Sequence, residues 1–295
     1  MRAPRVLILG LLVSAAALAH DGEPLQPHDL WASWEFEPGT VIPLLLTAII
    51  YARGAGKSRG VSTRQMALFW SGWTTLALAL VSPLHPLGEA LFSAHMLQHE
   101  ILILISAPLL VLAQPLPALL WGLPFQWRRT VGACSKFGPA AKTWTFLTLP
   151  AAAWSLHAAA FWIWHAPPLF QATLTSDAVH AAQHLSFLGT ALLFWWSLFR
   201  GHRKMGYGAG VLYIFTTAVH TSILGALLTF APRLWYPVYA KTAAIWGLTP
   251  LEDQQIGGLI MWVPGGIVYL IAGLALFAAW LRTSDVMADR KTYAN

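Results

Sequence analysis

Apolar and polar positions along this chain fall into long blocks. Apolar runs cover residues 38–53, 65–83, 89–113, 143–164, 178–199, 207–230 and 256–281. At about 1.5 Å per helical residue, runs of this order cross a hydrocarbon layer of about 30 Å, the first being the shortest. The breaks between them carry turn residues: Arg53-Gly54-Ala55-Gly56-Lys57, Pro83-Leu84-His85-Pro86, Gln114-Pro115-Leu116-Pro117, Ala166-Pro167-Pro168 and Ala231-Pro232-Arg233. Ahead of them, Arg2 and Arg5 precede an apolar run from Val6 to Leu18, and Ala17-Leu18-Ala19 has the small-x-small form of a cleavage site. The pattern predicts an all-α integral membrane protein, a bundle of seven transmembrane helices after an N-terminal signal segment. Its predicted parts are a signal peptide (1–19), an extracytoplasmic segment (20–37), the seven-helix domain (38–282) and a cytoplasmic tail (283–295). An uncleaved first span is the alternative for residues 1–19.

Composition agrees with a membrane setting. Of the 295 residues, 57% are hydrophobic and 10% charged, against about 25% charged in soluble domains. Sixteen tryptophans suit interfacial belts. The net charge of +6 would suggest nucleic acid in a soluble protein, but its distribution explains it without that partner. Fourteen basic residues fall on one side of the predicted spans: Arg53, Lys57, Arg59 and Arg64; Arg128, Arg129, Lys136 and Lys142; Arg200, Arg203 and Lys204; Arg282, Arg290 and Lys291. The other side has Arg233 and Lys241. The positive-inside rule makes the rich side cytoplasmic, and the signal segment independently places the mature N-terminus outside.

Acidic residues show the opposite bias. Asp21, Glu23, Asp29, Glu35, Glu37, Glu89, Asp177, Glu252 and Asp253 lie outside or at the outer boundary, a surface that attracts cations. Ten of the eleven histidines share that half, His202 being the exception.

Within the apolar blocks one pentad occurs twice. His95-Met96-Leu97-Gln98-His99 and His180-Ala181-Ala182-Gln183-His184 both read His-x-x-Gln-His. On a helix, positions i and i+4 share a face, so each copy points two imidazoles the same way. Ionisable groups at membrane depth are costly and mark sites or pathways. Two such pairs suggest a metal held between two helices, with His95, His99, His180 and His184 as ligands. Asp177 lies on the stripe of His180 and His184, as a third ligand or as acceptor for an imidazole N–H; Gln98 and Gln183 can orient the rings in the same way. A single cysteine, Cys134, rules out a Cys-x-x-Cys clip within the chain. Met96 and Met261 offer soft thioethers, ligands of the kind that favour Cu(I).

Four further histidines, His85, His157, His165 and His220, are weaker candidates. His220, with Thr216, Thr217 and Thr221 nearby, reads first as a hydrogen-bonded membrane histidine. His157 reads likewise. His165, beside Pro167-Pro168, reads as an interfacial residue. Were cleavage to fall just before His20, a free amine and imidazole there would chelate Cu(II).

With these residues in place, the chain resembles the polytopic CtaG family of membrane proteins, which are needed to assemble cytochrome c oxidase. The resemblance runs from about Trp70 to Trp280. It rests on the first pentad with Ala107-Pro108-Leu109-Leu110, on His157 with Trp164-His165-Ala166-Pro167, on the second pentad, and on the stretch Leu251 to Trp262. It implies a bacterial plasma-membrane protein, not an enzyme, that holds or delivers copper on the outer face. The implied partners are cytochrome c oxidase subunits, membrane lipid and a soluble extracytoplasmic copper donor. Hand-over would proceed by ligand exchange, with the loop from Trp235 to Gln255 covering or docking the site. Two other chemistries remain open at this point: a zinc-dependent intramembrane hydrolase with Glu100 as general base, and a haem-binding protein with histidine axial ligands.

Overall fold

The computed structural model describes residues 25–58 and 60–292, and among them there is helix and no strand. The signal segment and His20 lie outside the described residues. Helix α1 (Pro38–Ala55) starts on a proline, whose missing N–H costs nothing in a first turn. Helix α2 (Thr63–Val81) starts on a capping box: Ser62 Oγ accepts from the Gln65 backbone N–H, and Gln65 Oε1 accepts from the Ser62 N–H. At the far end of α2 the chain bends by 45° into the short α3 (Leu84–Ala90).

The apolar block 89–113 is not one uniform helix. Leu91 adopts an extended conformation (φ −130°, ψ 130°) and ends α3. Helix α4 (Phe92–Glu100) then begins, passes into a π-helical turn (Ile101–Ser106) and resumes as α5 (Ala107–Ala113). The wider π turn releases backbone carbonyls, and Trp195 donates its indole N–H to one of them, Ile103 O, at 2.9 Å. After α6 (Leu116–Gly122) and α7 (Phe125–Lys136), the helices α8 (Gly138–Leu147) and α9 (Pro150–Trp164) meet at 69°. Short α10 (Pro167–Thr173) leads into α11 (Asp177–Met205), followed by α12 (Tyr207–Thr229). Two 3-10 turns (Pro237–Ala240 and Ala243–Trp246) connect to α13 (Pro250–Thr292). The last helix runs past the boundary predicted at residue 282, since no proline or glycine follows to end it there.

Four helical stretches are long and apolar enough to cross a membrane: Pro38–Ala55, Phe92–Ala113, Tyr207–Thr229 and Pro250–Thr283. The two bent pairs raise the number to six. The predicted span 178–199 lies on α11, whose first turns carry Asp177, His180, Gln183 and His184.

Chain direction sorts the polar ends. The Glu35 N–H donates to Val81 O, so the start of α1 and the end of α2 share one end of the bundle. Arg53 and Arg64 accordingly lie at the other, and α11, which begins at the histidine-bearing end, carries Arg200 away from it. The longest interface joins α12 to α13. It is close because Gly258 lacks a side chain: a Cβ there would stand 2.6 Å from the Thr229 amide nitrogen.

Candidate metal centre

Helix α4 is placed by a residue far away in sequence. Its first amides have no partner within the helix, and the side chain of Asp253, buried in the first turn of α13, takes them. Asp253 accepts from Phe92 N–H at 2.7 Å, from Ser93 N–H at 3.0 Å and from Ser93 Oγ at 2.5 Å. Gly257, one turn on, gives the Phe92 ring its space; a Cβ there would overlap it. Cap and contact together set the rotation of α4, and thereby the direction of His95 and His99.

Opposite stands α11. The i, i+4 pairs behave as the spacing requires, with ring centroids 4.4 Å apart for His95 and His99 and 4.4 Å for His180 and His184. Across the helices, His95 stacks on His180 at 5.1 Å, and His99 meets His184 at 5.3 Å. His85, from α3, also stacks on His180 at 5.1 Å. Five imidazoles from three helices thus form one contiguous cluster. Within it, two sets of three can each present ligand nitrogens within 4.8 Å of one another: His85, His180 and His184, and His95, His99 and His184.

The hydrogen-bond accounts of these rings differ. His85 is saturated: Nδ1 accepts from the Gln98 amide at 2.9 Å, and Nε2 lies 3.4 Å from Glu35 Oε2. His95 lies between two acceptor oxygens, with Nδ1 3.3 Å from Gly88 O and Nε2 3.1 Å from Gln183 Oε1. A neutral imidazole has one N–H, so it serves only one of them. Both nitrogens of His99, and Nε2 of His180 and of His184, are buried without a hydrogen-bond partner. Buried polar atoms are ordinarily satisfied, and these unpartnered imidazole nitrogens are free to serve as metal donors.

The loop after α12 roofs the cluster. Tyr239 donates to Gly88 O at 3.0 Å and lies 3.3 Å from His95 Nδ1; Tyr236 donates to His165 O at 2.8 Å. Burial holds both hydroxyls above the usual phenol range, reinforced at Tyr239 by the carboxylates of Asp253 and Glu89, so both stay protonated donors. Gln254 ties the loop down, accepting from Trp235 N–H at 2.6 Å. On the side of α1 and α2, a largely apolar cavity of about 360 Å³ reaches His184, with Glu37 on its wall.

The other candidates belong to neither set of three. Asp177 is exposed and joins neither set of three. His165 is buried, donates Nδ1–H to Phe161 O at 2.6 Å, leaves Nε2 without a partner, and sits 6.4 Å from the His99 ring. His157 bonds Thr190 Oγ1 at 3.2 Å. His220 has no hydrogen-bond partner on either nitrogen and packs against Trp154 at 5.4 Å. The threonines near it bond backbone carbonyls instead, Thr216 to Leu212 O, Thr217 to Tyr213 O and Thr221 to Thr217 O. Met96 and Met261 lie in the apolar core. Glu100 faces α13 near Gly265 and is in neither histidine set.

Sequence reasoning singled out Gln98 and Gln183 as ring-orienting residues, and both contact histidines, though across helices. Glu35 and Asp253 read in the sequence only as members of an acidic outer surface, and Tyr239 only as part of the loop from Trp235 to Gln255; their contacts to His85, to the start of α4 and to Gly88 have no local signal.

Fold and site define a helical membrane protein with a buried imidazole cluster at one end of its bundle. The chain belongs to the cytochrome c oxidase caa3 assembly factor family, Caa3_CtaG, whose model matches residues 46–283. Among curated proteins it is similar to an uncharacterized protein of Mycobacterium bovis, 26% identical over 276 residues. One of Mycobacterium leprae is likewise 26% identical, over 274 residues. Each match covers 88% of this chain but 41% of the relative, so the chain spans about two fifths of the length of these proteins. No solved structure matches it.

Proposed function

We propose that this protein serves the maturation of a haem–copper oxidase by holding copper, as cargo, in the imidazole cluster between α4 and α11 and releasing it to an oxidase subunit. The observation that carries this reading is the convergence of five histidines on one buried locus where several ring nitrogens have no protein partner. Imidazole donors without thiolate suit copper and leave it exchangeable. Asp253 and the two roofing tyrosines hold the ligand helices, and Glu35, Glu37 and Asp177 give the approach a negative character that draws cations. With α11 as the seventh span, the basic ends face the cytoplasm and the cluster opens toward the outer face of the plasma membrane. The mature N-terminus is then outside and the C-terminus inside. No reaction is catalysed; a soluble donor fills the site and the oxidase empties it.

The alternatives receive less support. A hydrolase needs a carboxylate base beside its metal, and Glu100 is turned toward α13. Axial haem ligation needs a slab of space between facing rings, whereas these rings touch one another. The test is metal analysis of purified protein, paired with oxidase assembly in cells carrying His95→Ala/His99→Ala. The expected result is copper in the wild type, its loss in the variant, and loss of oxidase activity at normal levels of inserted protein. Full oxidase activity in that variant would remove the cluster from the function.

A further inference from the structure

The two histidine sets are not equivalent, and they share one member. His85, His180 and His184 form the outer set: the His85 side chain is 17% exposed and its Nε2 lies 3.4 Å from Glu35 Oε2. His95, His99 and His184 form the inner set, in which every ring is buried. Rings follow one another without a gap from one set to the other: His85 on His180, His180 on His95, and His184 within 6.1 Å of both His85 and His95. The reading that follows rests on the copper function proposed above.

We infer that the cluster provides two successive positions for a single copper ion, an outer loading position and an inner holding position, with His184 as the ligand common to both. A neutral imidazole coordinates through one nitrogen, so His184 serves one position at a time and the two exclude each other. An ion arrives at His85, whose bonds to Gln98 and Glu35 are released as it turns to the metal. It then moves inward by exchanging His85 and His180 for His95 and His99. Throughout the move His184 keeps one bond, so the ion is never without a protein ligand. No electron is transferred and no bond other than copper–nitrogen is made or broken; only ligands are exchanged. The inner position is the stable one because His99, with both ring nitrogens unpartnered, surrenders no hydrogen bond to the metal, whereas His85 gives up its contacts to both Gln98 and Glu35. The hand-over runs the same steps in reverse.

The experiment uses the full-length protein in detergent, Cu(I) as the probe, and a coloured Cu(I) chelator to time uptake and release. The wild type is expected to take one copper per chain and release it slowly. In His99→Ala the ion stops at the outer position, so release is at least about tenfold faster while uptake is unchanged. In His85→Ala uptake slows by a similar factor while release, once loaded, is slower than in His99→Ala. His184→Ala retains no copper. Asparagine variants at the same positions keep a polar side chain and give the same readout should alanine loosen the bundle. Identical uptake and release in the His85 and His99 variants would mean a single position. Two ions per chain, or copper retained in His184→Ala, would overturn the shared ligand. A wild type that binds no copper would instead defeat the copper function itself.

Discussion

Gln183 reaches across from α11 to place its Oε1 3.1 Å from Nε2 of His95 on α4, so the glutamine of the second pentad holds the leading histidine of the first. Gln98, the matching glutamine of the first pentad, turns the other way and contacts His85 at 2.9 Å. The motif is therefore two ligands and a clamp, and the clamps join three helices into one site.

Removing the clamp tests its role. Gln183→Leu preserves volume but removes the partner of His95 Nε2. Partners that orient metal-bound imidazoles typically contribute about 10–100-fold in affinity. A loss of that order in Cu(I) competition titration is expected, with unchanged insertion. An unaltered affinity would show that Gln183 is only filling space.

Asp253 carries the rotation of α4. Losing a helix N-cap costs about 0.5–2 kcal/mol, and here three hydrogen bonds go together. Asp253→Ala is expected to lower the thermal midpoint in detergent and to weaken copper retention in the same protein. Stability lost without any change in copper binding would separate the cap from the site.

The roof supplies a pH dependence. Tyr236 and Tyr239 have hydroxyls raised above the usual phenol value by burial. Unfolded chains deprotonate near about pH 10, while the folded protein keeps both protons. The folded state then binds more protons, and stability falls as pH rises beyond that point. Below it the contribution is complete. The double variant Tyr236→Phe/Tyr239→Phe should be less stable at neutral pH yet decline less steeply at alkaline pH in thermal scans. Parallel pH profiles would contradict the buried-phenol account.

His157 and His220 supply the negative control. Alanine at either is expected to leave copper stoichiometry at the wild-type value, since neither joins the cluster. Reduced stoichiometry, read by elemental analysis, would place a further ligand among them.

The legible part of this molecule was whatever repeats locally. Block hydropathy located the helices Pro38–Ala55, Thr63–Val81 and Tyr207–Thr229 closely, because crossing a membrane requires continuous apolar length, but it cut Pro250–Thr292 short at both ends and read Gly138–Leu147 and Pro150–Trp164, which meet at 69°, as one span. The i, i+4 spacing made His95 with His99, and His180 with His184, visible as pairs. What depended on distant contacts stayed hidden. The extended residue Leu91 divides a block that reads as one span, because an Asp253 cap arriving from about 160 residues on satisfies the new helix start. His85 enters the cluster through the bend between α2 and α3, which the Pro83-Leu84-His85-Pro86 break suggested only as a turn. Asp177 shares a stripe with His180 and His184, yet that stripe emerges at its first turn, so the carboxylate stays exposed. The π turn after Glu100 has no local signature, since one of its carbonyls, Ile103 O, is served by Trp195 from another helix.

The most direct test of an all-imidazole copper centre is X-ray absorption spectroscopy of the purified, copper-loaded protein. The account predicts a first shell of nitrogen, with the outer-ring scattering of histidine, that collapses in His184→Ala. A sulfur shell, or a spectrum unchanged by that substitution, would contradict it.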